Sequence, residues 1–135
     1  MRDTYGDTIN ADSEQTGLDF IRDVIIQPAN YWKQGCGDSS IKLGVNNFLI
    51  FFKTEQGIFI QHLPTYNAPL IQTNYAQINT ITHYCGGEPM DVPDICLCNE
   101  EVSLDIFKYF INTGELYPEY KWVDIFDYIK YRYAE

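Results

Sequence analysis

The sequence predicts an α+β fold, an antiparallel sheet with two main helices packed on it, and three observations carry that prediction. Apolar residues recur at helical spacing from Leu18 to Ile25 and again from Val102 to Ile111. Between them the pattern changes to strand-like runs, Val45–Lys53 and Ile58–Leu63, separated by the turn Thr54-Glu55-Gln56-Gly57. The composition, 45% hydrophobic and 16% aromatic over 135 residues, is that of one domain (1–135) able to bury a core.

Taken in order, Met1 to Ala11 is polar and aspartate-rich, a frayed terminus or a short edge strand. Thr16-Gly17-Leu18-Asp19 has the form of a capping box, and Leu18, Ile21, Val24 and Ile25 give the first helix its apolar stripe. Pro28 ends that helix, because the residue before a proline is pushed out of helical geometry. Asn30 to Ser40, around Gly35-Cys36-Gly37, reads as loop. In the next run Phe48, Ile50 and Phe52 share one face and Leu49 and Phe51 the other, which predicts a central strand covered on both sides.

Pro64 to Pro69 reads as a loop, and Gln77 to Cys85 as a β-branched strand ending at the Gly86-Gly87 turn. Asp94 to Cys98 is expected as a short fourth strand leading into the main helix. There Asn99 is the candidate N-cap, Glu100 and Glu101 sit at the positive end of the helix dipole, and Val102, Ile106, Phe107, Phe110 and Ile111 form the buried stripe. Asp105 and Lys108 fall on its solvent side. Asn112-Thr113-Gly114 stops the helix, with Gly114 suited to a left-handed C′ position. The closing VDIFDYIKYRY fits either a strand or a short helix.

Charge is unevenly spread. The chain carries a formal net charge of −10, and seven of those ten come from Gly86–Tyr120, where eight acidic residues face one lysine. The nine basic residues are scattered, which disfavours direct nucleic-acid binding, since phosphate contacts need clustered Lys and Arg. A field of one sign favours a positively charged protein partner.

Catalytic signatures are weak. Cys96 and Cys98, read as facing opposite ways along the expected strand, count as structural thiols, with no further ligands nearby for zinc. His83 and Cys85, read as facing apart along a strand, give no nucleophile–base pair. Gly86-Gly87 is too short to cradle phosphate, and the zinc-deaminase pattern of H-x-E with P-C-x-x-C is missing. No metal, cofactor or enzymatic activity is therefore expected. MRDTYGDTIN has no apolar run and no stretch is long enough to span a bilayer, so the expected location is cytoplasmic, with no membrane partner.

The second half of the chain carries a family pattern: Gly87-Glu88-Pro89, Val92-Pro93, Val102-Ser103, Phe107, Phe110, Thr113-Gly114-Glu115, Pro118 and Trp122. In these features it resembles the family-one immunity proteins of bacterial polymorphic toxin systems, many of them paired with nucleic-acid deaminase toxins. It departs from them in Asp91 and Asp94, which flank the proline turn, and in a helix bulkier than the alanine-rich form. The resemblance implies a small cytoplasmic antitoxin whose partner is a basic cognate toxin domain. On that reading Glu88, Asp91, Asp94, Glu115 and Glu119 supply the acidic recognition surface, and Tyr117, Tyr120 and Trp122 its aromatic anchors, with Trp122 alternatively a core residue. The rival readings are another α+β immunity or adaptor protein, and a cysteine-dependent enzyme using Cys85 or Cys36.

Overall fold

The computed structural model describes residues 14–33 and 35–129. Its architecture is α+β, with antiparallel strands throughout. Helix α1 (Glu14–Ile25) precedes a 3-10 turn at Ala29–Lys33. Strands β1 (Ser39–Lys42), β2 (Phe48–Thr54) and β3 (Gly57–Leu63) form a three-stranded sheet in that order. Strand β4 (Asn67–Pro69) comes next, then the hairpin of β5 (Thr80–Cys85) and β6 (Glu88–Pro93), a 3-10 turn at Asp94–Cys96, and helix α2 (Glu100–Thr113). Strand β7 (Trp122–Asp124) and the single-turn helix α3 (Phe126–Ile129) close the described chain.

Strand β2 is the centre, as its two apolar faces require. It pairs with β1 through Ile41 opposite Leu49 and with β3 through Phe51 opposite Ile60. The Phe51 face lies against helical structure. Phe107 of α2 meets Phe51 edge-on, ring centroids 4.6 Å apart, and Trp32 of the first 3-10 turn packs on Phe51 at 5.6 Å. The Phe52 face takes the β5–β6 hairpin, where the His83 ring stacks on Phe52 at 4.0 Å, nearly parallel, and Phe59 joins them. Leu18, Ile21, Val24 and Ile25 of α1 are all buried, and α1 packs against α2. One contiguous apolar cluster runs from Phe20 to Ile129.

Helix α2 ends as its sequence dictates. The Asn99 side chain accepts from the Val102 amide at 2.8 Å, and Gly114, at φ 73°, closes the C-terminus by donating its amide to the Phe110 carbonyl. Ser103, Ile106, Phe107 and Phe110 are buried, while Val102 and Ile111 lie half-buried beside them. At the other end of the domain, Gly37 is a position only glycine fills. It has φ +77°, and a Cβ there would collide with the Tyr84 carbonyl oxygen.

Several local expectations are corrected. Helix α1 is already running at Glu14, so Thr16 is inside it rather than its cap. The Asn30–Ser40 loop contains a 3-10 turn and the start of β1, and the Pro64–Pro69 loop contains β4, which pairs with β7. The proline turn expected between Asp91 and Asp94 is instead part of strand β6 (Glu88–Pro93), paired with β5 from Cys85–Glu88 to Thr80–Pro93. Asp94–Cys98 is a 3-10 turn followed by a single bridge from Cys98 to Ile58, not a strand. VDIFDYI is both β7 and α3. The strands thus fall into three ladders of three, two and two. Met1–Ala11 lies outside the described residues.

Lys53 joins three of these parts. Its ammonium donates to the carbonyls of Ile25 (2.6 Å) and Gln27 (3.1 Å) past the end of α1, and to Glu100 Oε1 (2.8 Å) at the start of α2. Two stability measurements test the packing and this junction. Phe107→Ala is expected to lower the unfolding free energy in urea by about 3–5 kcal/mol, as large core truncations do. Lys53→Met should cost about 1–3 kcal/mol, because it strips buried carbonyls of a charged donor. Glu100→Gln should cost less than about 1 kcal/mol, because Glu100 is half exposed and its pair with Lys53 is screened.

Candidate functional site

The segment after α2 builds a surface from the helix outward. Asp105, Lys108, Tyr109 and Asn112 succeed one another along the outer side of α2. Gly114 then turns the chain back, so that Tyr117 returns beside Tyr109 with ring centroids 5.6 Å apart and tilted by 49°. Tyr120 lies 6.1 Å beyond Tyr117. Asp105, Lys108, Tyr109, Asn112 and Tyr117 enclose an open cleft of about 220 Å³. Glu115 and Glu119, in the segment that follows, are exposed.

This segment has no regular structure from Glu115 to Lys121, yet it is tied down along its length. The Asn47 side chain donates to the Gly114 carbonyl (2.7 Å), and its oxygen meets His62 Nε2 (2.8 Å). The Thr113 hydroxyl donates to the Tyr109 carbonyl and accepts from the Glu115 amide. Trp122 Nε1 donates to the Tyr117 carbonyl at 3.0 Å, and Trp122 itself is paired with Pro69 in the β4–β7 ladder. The Leu70 amide reaches the Lys121 carbonyl at 2.7 Å. These bonds tie both ends of the segment and the Tyr117 carbonyl between them.

Electrostatics concentrate on Tyr117. Its phenol is held above the usual tyrosine range, first by desolvation and then by the carboxylates of Asp105 and Glu119. Among the described residues neither carboxylate makes an ion pair, whereas Lys33, Lys53 and Arg22 are each matched to an acid.

The eight sequence-derived site residues do not form one surface. Glu115, Tyr117, Glu119, Tyr120 and Trp122 come together beside α2, on the Phe51 side of the sheet. Glu88, Asp91 and Asp94 belong to the β5–β6 hairpin and its exit, on the Phe52 side. Glu88 is exposed next to the hairpin turn. Asp91 accepts from the Thr82 hydroxyl at 2.5 Å, and Asp94 accepts from the Asn79 amide and side chain at 3.2 and 3.3 Å. Those last two carboxylates hold their own hairpin together. Trp122 is half-buried, packed on the core and hydrogen-bonded to the Tyr117 carbonyl. Tyr109 and Asn112 were not expected in the site. Their spacing of four and seven from Asp105, off the apolar stripe, is the signal that marks them.

Cys96 and Cys98 are buried, and burial pushes both thiols up to about 12. Two apart, they would have shared a face in a strand, contrary to the sequence reading, but Cys96 ends a 3-10 turn and no strand carries the pair. Cys98 points its thiol at the Ile58 carbonyl. His83 and Cys85 are two apart in β5 and so share a face, contrary to the sequence reading. The His83 ring is occupied nonetheless, stacked on Phe52 and hydrogen-bonded through Nε2 to the Gly37 carbonyl at 2.7 Å. Among the described residues no group of three or more His, Cys, Asp or Glu is placed to hold a metal, and no helix is long and apolar enough to cross a membrane. No protein-family profile, curated protein or solved structure matches the chain.

Burial lowers the pKa of His83 and of His62 below the ordinary histidine value of 6.5. Below pH 6.5 the unfolded chain therefore takes up protons before the folded one. Stability is complete above that pH and declines as pH falls toward the folded-state values. Unfolding free energies of the parent and of His83→Gln, measured in urea from pH 7.5 to 5, are expected to converge as the pH drops. Curves that stay parallel would remove His83 from this linkage.

Proposed function

We propose that this chain is an antitoxin that neutralises a basic, nucleic-acid-targeting toxin, of the deaminase type that the sequence resemblance implies, by covering it with the surface beside α2. The observation that carries this reading is the tyrosine row made by Tyr109 of α2 with Tyr117 and Tyr120 of the segment after it, with Asp105 beside it and Glu115 and Glu119 exposed in that segment. Aromatic side chains held in place are the usual anchors of tight interfaces, because they bring large contact area at little entropic cost. The surrounding carboxylates suit a partner whose own substrate is polyanionic. A toxin that grips phosphate presents Lys and Arg, and an acidic antitoxin meets that same surface as its substrate would.

Opposite charge acts chiefly on encounter. Steering raises the association rate, which for an antitoxin decides how long a newly made toxin stays active. The role asks for no catalytic group, cofactor or metal from this chain, and it places the action where the toxin's target is, in the cytoplasm. Glu88, on the opposite side of the sheet, is outside this surface, and Asp91 and Asp94 serve the hairpin instead.

Co-expression with the product of the adjacent gene, scored by rescue of growth and by co-purification, tests the reading directly. Against that partner, the double change Glu115→Gln and Glu119→Gln should slow association several-fold at low salt and flatten its salt dependence, with little effect on dissociation. A charge-neutralised variant that associates as fast as the parent at low ionic strength would move the interface elsewhere.

A further inference from the structure

The clefts of this molecule differ in how their charges are disposed. The cleft of about 200 Å³ lined by Lys33, Lys53, Glu55 and His83 is internally neutralised. There Lys33 faces Glu55 at 3.7 Å, Lys53 is bound to Glu100, and His83 is hydrogen-bonded to Gly37. The cleft beside α2 is different. Its walls include two tyrosine rings tilted by 49° to each other, and Asp105 lines it beside Tyr117. Lys108 borders it as well, without an ion pair among the described residues.

We propose that the cleft formed by Asp105, Tyr109, Asn112 and Tyr117 seats a single arginine side chain of the partner protein. The inference rests on the toxin-binding reading above and names the chemistry of its central contact. An apolar side chain would leave the Asp105 carboxylate desolvated and unpaired. A phosphate or carboxylate would be repelled by it. A lysine would satisfy the charge, but its compact, strongly hydrated ammonium gains little from flat aromatic walls. A guanidinium is planar, weakly hydrated and carries its donors in a fork. Its face can lie on a tyrosine ring while its N–H groups reach a carboxylate. Asn112 adds an amide oxygen as a further acceptor within the same cleft. Lys108 opposes entry of any cation, so it tunes the affinity of the cleft downward.

The inference is tested on the full chain, without any toxin, by tracking backbone amide resonances while N-acetyl-arginine methylamide is added. The expected result is a saturable shift centred on Asp105, Tyr109, Asn112 and Tyr117. The lysine analogue should bind at least about fivefold more weakly, reflecting the lost stacking. The citrulline analogue, nearly isosteric but neutral, should give no saturation. Asp105→Asn should weaken the arginine response about tenfold, the cost of removing a charge-assisted pair, and Lys108→Gln should strengthen it. Equal binding of citrulline and arginine, an unchanged response in Asp105→Asn, or shifts centred elsewhere would each overturn the assignment. The two readings fail separately. A chain that rescues growth from the toxin yet shows no arginine response loses only the arginine cleft. A chain that binds arginine here but neither rescues nor captures the toxin loses only the antitoxin role.

Discussion

The ammonium of Lys53 is the point at which the layers of this fold are fastened. It lies on the central strand, only 17% exposed, and gives its three protons to the end of α1 and the beginning of α2. A helix ends with carbonyls that have no partner of their own, and a carbonyl removed from water without a donor is costly. One side chain from β2 meets that need for α1 and sets a positive charge against the acidic first turn of α2. Both helices are thereby fixed to the same residue of the sheet. The packing of Phe107 on Phe51 adds the apolar part of the same junction, and the segment beyond α2 starts from a helix held at both points.

The loop from Glu115 to Lys121 behaves as a scaffolded element. Most of its order comes from outside itself: from Asn47 at one end, β4 at the other, and the indole of Trp122 reaching back to Tyr117. Exposed aromatic residues on a mobile loop would collapse onto any apolar neighbour. Here Tyr117 touches Tyr109 and Tyr120, and its carbonyl is held by Trp122, so the tyrosines stay half-exposed in one row.

Legibility in the sequence tracked the range of the forces involved. Helix α2 was legible to the residue because Asn99, the Phe107/Phe110 stripe and Gly114 act within a few positions of one another. The β2–β3 hairpin was legible for the same reason. Strand β6 was not, because Pro89 and Pro93 argue against a strand. They are tolerated since β6 is paired only with β5, leaving an edge where a missing N–H costs nothing. Ile95 to Leu97 looked like a strand because it is apolar on every side, and it is: burial here encloses a 3-10 turn. Strands β4 and β7, three residues each, exist only because they find each other. The candidate site shows the same division. Tyr117, Tyr120 and Trp122 were legible as aromatic residues in an acidic segment, but only the fold separates Glu115 and Glu119 from Glu88, Asp91 and Asp94.

The pairing of Ala68 with Val123 has a consequence for the order in which the chain becomes useful. The ladder spans nearly the whole second half of the sequence, so its first strand is synthesised long before its second. Until Val123 has left the ribosome, Trp122 has no strand to sit in and the tyrosine loop no far anchor. A nascent chain therefore assembles its helices and central hairpin early and its outer face last. The surface beside α2 is in effect a certificate of completion: truncated products can be compact, yet they cannot present it.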